Sequence, residues 1–231
     1  LYFAIFGIDK WQILACVWAI IPLYNIYNFA TCPIERLVED GQGMSLRQLL
    51  KKPIFAAAII LMICAGASEM SMAQWASAFA ESALGLTKSV GDLAGACLFA
   101  TTMGISRMLY GKFGEKIDLI KFMLISGVIC VVSYLLAGLS AMPIWGLVGC
   151  VMCGFSVGIM WPGSISITAP RIPKGGTALF ALLAMAGDMG GAFGPSVVGY
   201  FSQHAGDNLR AGLLTGCIFP LIMLATLIAM K

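Results

Sequence analysis

Residues 54–80 read IFAAAIILMICAGASEMSMAQWASAFA and contain one charged side chain, Glu69. About 20 consecutive apolar helical residues cross the hydrocarbon core of a bilayer, so this stretch is long enough to span it. Glycine, alanine and serine recur within the stretch, as they do where membrane helices pack closely. It therefore predicts a transmembrane helix that carries one acidic group inside the bilayer.

The composition of the whole chain extends this conclusion. Of 231 residues, 60% are hydrophobic and 11% are charged, and the mean hydropathy is +0.92. Water-soluble domains carry about a quarter of their residues as charges, so soluble enzymes and free nucleic-acid binders are excluded. Seven of the eight cysteines lie in apolar runs, which favours a packing role over a disulfide framework or a metal site. The predicted fold class is an all-α integral membrane protein.

Seven apolar runs have the length of a membrane span. They are predicted at 11–30, 54–80, 89–110, 119–138, 143–168, 177–202 and 211–230. A shorter apolar stump, residues 1–8, precedes them and is interpreted as the end of a further helix. Because the chain opens inside an apolar stretch, we expect it to be a piece of a longer protein.

The distribution of basic residues predicts the orientation. Eleven of the fourteen lie on one side of the predicted spans, and three, Lys10, Lys88 and Arg210, lie on the other. The eleven are Arg36, Arg47, Lys51, Lys52, Arg107, Lys112, Lys116, Lys121, Arg171, Lys174 and Lys231. Basic residues are in excess on the cytoplasmic side of membrane proteins. The sequence thus predicts a multi-pass protein of a cytoplasmic (inner) membrane with a cytoplasmic C-terminus.

Residues 31–53 form the longest hydrophilic segment and contain a short amphipathic stretch at 45–50. The segment is interpreted as a cytoplasmic linker that lies on the membrane surface. It separates a first part, residues 1–30, from six consecutive spans in residues 54–231. The first part, with its stump at 1–8 and its span at 11–30, is interpreted as the end of an otherwise absent helical bundle.

The turn RMLYGKFGEK, residues 107–116, is the most specific motif. It resembles the Gly-x-x-x-Asp-Arg-x-Gly-Arg-Arg signature loop of the major facilitator superfamily, in the copy between the eighth and ninth helices. Gly111, Gly114, Glu115 and Lys116 stand at motif-like spacing, but the Asp-Arg pair is weakened. Glycine permits the tight turn, and the charges would latch neighbouring helix ends in one conformation. A solvated turn is the alternative for these charges.

Three more motifs extend the resemblance. They are Gly66-Ala-Ser-Glu69-x5-Trp75, Gly154-Phe-Ser-Val-Gly158-Ile-Met-Trp161-Pro162 and Gly190-Gly-Ala-Phe-Gly194-Pro195. They are similar to the C-terminal half of the fucose and hexose proton-symporter branch of that superfamily. The resemblance implies a six-helix C-terminal bundle at 54–231, a missing N-terminal bundle, and alternating access around a central cavity that binds a solute at mid-depth.

Ionisable groups at membrane depth are costly and are functional candidates by default. Glu69 is the first choice for a solute-binding or protonatable carboxylate, and Asp188, among glycines, is the second. For Glu69 the alternative is a structural acid bonded to a neighbouring helix. Asp92 is explained as a charge at an exterior helix N-terminus, and Arg107 is expected to anchor the cytoplasmic end of its helix.

Uncharged candidates complete the predicted binding set. Trp75 and Trp161 could stack on a sugar ring, although packed or interfacial tryptophans are commoner. Gln74 lies beside Trp75, and Asn28 belongs to a polar tract that could line the cavity or mark the inner interface. Pro162 and Pro195 fall inside spans, where they kink helices and free carbonyl groups that need other partners.

The resemblance therefore implies a secondary active transporter that moves a small polar solute, in that branch a sugar, together with protons or another coupling ion. A drug or metabolite efflux carrier is the nearest alternative because the chain has fourteen methionines. A non-transporting receptor on the same fold is another. An enzyme is not expected, since the single histidine, His204, has no catalytic constellation around it at membrane depth. Neither a cofactor nor a metal is predicted.

Overall fold

The computed structural model describes residues 11–33, 43–82, 85–140 and 142–231, and leaves the side chains of residues 115 and 143 undescribed. In this part the chain folds into ten helices. They are α1 (Trp11–Thr31), α2 (Leu46–Leu50), α3 (Pro53–Ser82), α4 (Lys88–Phe113), α5 (Leu119–Leu139), α6 (Pro143–Val157), α7 (Met160–Thr168), α8 (Gly176–His204), α9 (Leu209–Gly216) and α10 (Ile218–Ala229).

Seven helical segments among the described residues are long and apolar enough to cross a membrane. Each coincides with a predicted span within a few residues, so the predicted all-α membrane fold is confirmed. Two of the seven are composite, since α6 with α7 forms one segment and α9 with α10 forms another. The predicted stump at 1–8 and the linker residues 34–42 lie outside the described residues.

Local sequence sets the ends of the helices. The Asp118 side chain accepts a hydrogen bond from the Lys121 amide at the start of α5, and Asn208 caps α9 in the same way. Gly206 and Asp207 both adopt positive φ angles, 73° and 59°, and so provide the sharp reversal from α8 into α9. Ser45 and Gln48 form a reciprocal capping box on α2.

Two spans are irregular at membrane depth. Residues Asp92–Cys97 of α4 form a π-helical turn. The span of α6 and α7 is interrupted at Gly158 and Ile159, immediately before Pro162. Irregular backbone inside a membrane needs hydrogen-bond partners from neighbouring protein or a water-filled cavity. Irregular helical turns of this kind are frequent at functional sites.

Residues 42–231 form one compact unit around α3. This helix packs against α4, α6, α7, α8, α9 and α10, and more than half of its span is buried. Tyr134 of α5 is fully buried in this core, where its hydroxyl donates a hydrogen bond to the Ser68 carbonyl (2.8 Å). The other unit, residues 1–41, contains α1, whose apolar side chains are exposed along the whole helix.

Candidate functional site

The site begins where α3 and α8 cross. A Cβ atom built on Gly66 would lie 2.9 Å from the Gly187 carbonyl carbon and closer still to its oxygen, and one on Gly190 would lie 2.8 Å from the Ile63 carbonyl carbon. No real side chain tolerates such distances, so glycine is required for the two backbones to approach this closely. The small residues of 54–80 predict close packing of α3, and the crossing lies one helical turn before Glu69.

Glu69 forms an ion pair with Arg107. The Arg107 Nη2 atom lies 3.4 Å from Glu69 Oε2, which joins α3 to α4. The Glu69 side chain is only 17% exposed, whereas that of Arg107 is 45% exposed. A buried carboxylate needs a positively charged or hydrogen-bonding partner. The Arg107 guanidinium is that partner for Glu69 and remains partly exposed.

The break between α6 and α7 fixes the same guanidinium. The Gly158 carbonyl would normally accept a hydrogen bond from the amide four residues later, but that residue is Pro162, which has no amide hydrogen. The Arg107 Nε–H donates to this carbonyl instead, at 3.2 Å. A Cβ on Gly158 would lie 2.8 Å from the Met103 carbonyl oxygen, so glycine also allows α4 to come within reach. Arg107 thus connects three spans.

Asp188 and Trp161 are both neighbours of Gly187, Asp188 in sequence and Trp161 in space. Asp188 is exposed, and its carboxylate has no hydrogen-bond or ion-pair partner in the described part of the chain. Trp161 packs against Gly187, where a Cβ would lie 2.7 Å from the indole Cε2 atom. Of the charged candidates, the structure pairs Glu69 with Arg107 and leaves Asp188 without a polar partner among the described residues.

Trp75 and Gln74 line a groove between α3 and α8. The groove has a volume of about 390 Å³, and its other lining residues are Ala192, Pro195, Ser196, Gly199, Tyr200 and Gln203. The Trp75 indole N–H donates to the Pro195 carbonyl (3.0 Å), which fixes the ring. Asp188 precedes Ala192 and Pro195 by four and seven residues, so it lies on the same face of α8, one turn below the groove.

The remaining predicted residues lie elsewhere. Asn28 is in the last full turn of α1, within the unit of residues 1–41. Gly111 lies in the last turn of α4, and Gly114 and Lys116 belong to the following 3₁₀ turn, while the Glu115 side chain lies outside the described residues. Gly114 packs on the Tyr110 ring, since a Cβ there would lie 3.1 Å from Tyr110 Cε2.

Several features of the site were not expected from the sequence. Arg107 lies inside α4, one to two turns before the signature loop, and its side chain pairs with Glu69 rather than with the loop. Asp92 opens the π-helical turn and accepts a hydrogen bond from the Ser77 hydroxyl of α3. The only sequence signal for the position of the Arg107 side chain was the spacing of Gly158 and Pro162. This spacing marks a backbone carbonyl, that of Gly158, without a hydrogen-bond donor in its own helix.

The cysteines mostly lie in the core. Cys130 of α5 and Cys153 of α6 are buried with their sulfur atoms 3.9 Å apart, and no disulfide joins any cysteine pair in the described chain. No group of three or more His, Cys, Asp or Glu side chains within the described residues is arranged to hold a metal ion.

Comparison with known proteins places this geometry in a family. The sequence matches the profile described as Major Facilitator Superfamily over residues 11–195 and again over 57–230. The chain belongs to the major facilitator superfamily. It is therefore a multi-pass membrane protein of a transporter family, and the predicted superfamily membership is confirmed.

Two curated relatives match this superfamily member. Both are the multi-drug resistance efflux pump PmrA of Streptococcus pneumoniae, from strains TIGR4 and R6. Each is 27% identical over 158 residues, which is 64% of this chain and 39% of the relative. The chain therefore spans less than half the length of the relatives it matches. No solved structure matches it significantly.

Proposed function

We propose that this chain forms part of a secondary active transporter in which the Glu69–Arg107 pair lies on the solute path. The observation that carries the proposal is a partly exposed ion pair at mid-depth. Glu69 lies sixteen residues along the 30-residue helix α3, about 24 Å from its start at a rise of 1.5 Å per residue. Ionisable groups at such depth are expensive and mark ion or substrate pathways.

A sugar moved with protons is the solute class that the groove favours. Trp75 offers a flat aromatic surface, while Gln74, Ser196 and Gln203 offer hydrogen-bond donors and acceptors. Asp188 lies one turn below the groove with an unpaired carboxylate. Such a mixture of one fixed ring and several polar groups suits a small, neutral, hydroxyl-rich solute. Either carboxylate would then carry the coupling proton.

Efflux of an amphipathic cation is a second candidate. Met185, Met189 and Phe193 are exposed on α8 around Asp188, and Met70 is exposed next to Glu69. Methionine and phenylalanine form adaptable apolar surfaces, and an unpaired carboxylate among them would attract a positive charge. The matched relatives are named as multidrug efflux pumps, which supports this candidate at 27% identity.

The proposal includes the orientation of the chain in the membrane and a second helical bundle. The side with eleven of the fourteen basic residues is the cytoplasmic one, and the C-terminus lies there, in an inner or plasma-type membrane. We assign α1 to a second helical bundle, as the sequence analysis expects. Solute passes by alternating rocking of the two bundles, and the signature loop at Gly111–Lys116 latches one of the states.

Flux through the full-length protein in proteoliposomes tests these statements. Radiolabelled hexoses and the fluorescent cation ethidium serve as the two probes, under an imposed pH gradient. We expect one probe to move, its flux to collapse with a protonophore, and Glu69→Gln or Asp188→Asn to reduce it at least tenfold. Binding of a probe without flux would favour the receptor alternative. Wild-type flux in both variants would refute the site assignment.

A further inference from the structure

The short helix α2 and the loop between α7 and α8 form one continuous surface. The Met44 amide donates a hydrogen bond to the Lys174 carbonyl at 2.8 Å. Leu49 of α2 is fully buried in a cluster that contains Ile172 of the loop and Leu179 of α8. Side chains that project from these two segments therefore share one face at this end of the bundle, although they are more than 120 residues apart in sequence.

Five basic side chains project from that surface, which we call the α2 basic surface. They are Arg47, Lys51, Lys52, Arg171 and Lys174. All are exposed except Lys52, which is half-buried. None of the five forms an ion pair with another residue that the structure describes. The start of α5 differs in this respect, because Lys121 in its first turn is paired with Asp118 at 3.2 Å.

Apolar side chains stand directly among these charges. Leu46 and Leu50, one helical turn apart on α2, are 53% and 62% exposed. They flank Arg47 and lie seven and three residues, respectively, before α3 begins at Pro53. A short helix with basic and apolar side chains at the end of a membrane span has the composition of a segment that lies in the headgroup region.

We propose that the α2 basic surface binds the headgroup of an anionic phospholipid, with Leu46 and Leu50 against its acyl chains. The phosphate would be held by donors from both segments, Arg47 and Lys51 on α2 and Lys174 on the loop. Clusters of basic residues next to a membrane helix attract anionic lipids. A free phosphate ion would need the charges but not the exposed leucines, so the lipid is the occupant that accounts for both. The bound lipid ties α2 to the α7–α8 loop.

Native mass spectrometry of the purified full-length protein, titrated with phosphatidylglycerol or phosphatidylcholine, measures this binding. The test variant is Arg47→Gln/Lys51→Gln. The matched control is Lys112→Gln/Lys116→Gln, which removes the same charge from the other basic loop. Each Lys or Arg near an anionic membrane surface strengthens binding about fivefold, so the test variant should bind phosphatidylglycerol about 25-fold more weakly. The control should bind it like the wild type.

Three further arms make the result decisive. Lys174→Gln removes a charge from the α7–α8 loop and should weaken phosphatidylglycerol binding about fivefold. This single variant keeps the test valid should the double variant fail to fold. Leu46→Ser/Leu50→Ser should also weaken it, and millimolar inorganic phosphate should not compete. Equal binding of the two lipids, equal losses in test and control variants, or competition by phosphate would each overturn the proposal. None of these measurements depends on transport.

Discussion

Replacing Gly190 by alanine tests the close crossing of α3 and α8. The new Cβ would lie 2.8 Å from the Ile63 carbonyl carbon and closer to its oxygen, whereas ordinary van der Waals contact begins near 3.4 Å. The obstacle is backbone, which cannot rotate away as a side chain can. The two helices must therefore separate by at least about 0.6 Å, which weakens dispersion contacts along the whole crossing.

Overpacking of a tight core costs about 1–3 kcal/mol, and we place Gly190→Ala at the upper end because a rigid atom is displaced. Alanine regains up to about 1 kcal/mol of helix propensity, so the net loss should be about 2 kcal/mol. For a cooperatively unfolding unit of roughly 150–250 residues, such as residues 42–231, this corresponds to a fall of about 4–8 °C in the melting temperature.

Thermal unfolding of the full-length protein in detergent measures the effect. The control is Gly104→Ala on α4, where a Cβ would meet nothing within 4 Å. This control should melt at the wild-type temperature or slightly above it. A Gly190→Ala protein as stable as the wild type, or a control destabilised to the same extent, would show that close backbone contact does not hold this crossing.

Three further predictions concern single contacts. Pro162→Ala restores an amide that competes with Arg107 for the Gly158 carbonyl, so the melting temperature should rise while the initial transport rate falls; unchanged transport would contradict the role of this break. Tyr134→Phe removes the buried hydroxyl that donates to the Ser68 carbonyl, and thermal unfolding should show a loss of about 1 kcal/mol; an unchanged melting temperature would contradict it. The Lys121 amide and ammonium hold the pKa of Asp118 below its usual range, so this cap stabilises the fold above the unfolded pKa near 4 and is lost as the pH falls through the lower folded value. Asp118→Asn should melt lower at pH 7 and lose less stability than the wild type on acidification; identical pH profiles would exclude the cap.

The spans could be predicted because length and hydropathy alone determine which segments cross a bilayer. The small residues of 54–80 also indicated close packing of α3, but they did not identify the partner helix. Gly187 and Gly190 meet α3 residues more than 120 positions earlier in the chain. Only the three-dimensional arrangement decides which of several glycine-rich helices form a pair.

The Glu69–Arg107 ion pair also could not be predicted from the sequence. Glu69 could be identified as a functional candidate because a carboxylate at membrane depth is energetically costly. Pro162 indicated a carbonyl without a hydrogen-bond donor in its own helix. Neither pattern pointed to Arg107, which lies 38 residues from Glu69 and near the end of its own helix. Its long side chain reaches both groups only because Gly158 lets α4 approach the break. The π-helical turn at Asp92–Cys97 had no signal in the sequence at all.

Flux measured for Glu69→Gln, Arg107→Gln and the double variant Glu69→Gln/Arg107→Gln tests most directly whether the ion pair is part of the transport path. Removing one partner leaves the other charge uncompensated, whereas removing both does not. We predict that the double variant folds, loses only the stability that the Arg107 hydrogen bond to the Gly158 carbonyl contributes, about 1–3 kcal/mol, and still loses at least tenfold in the proton-driven flux of the transported probe. Wild-type flux through a folded double variant would show that the pair is structural and that the solute path lies elsewhere.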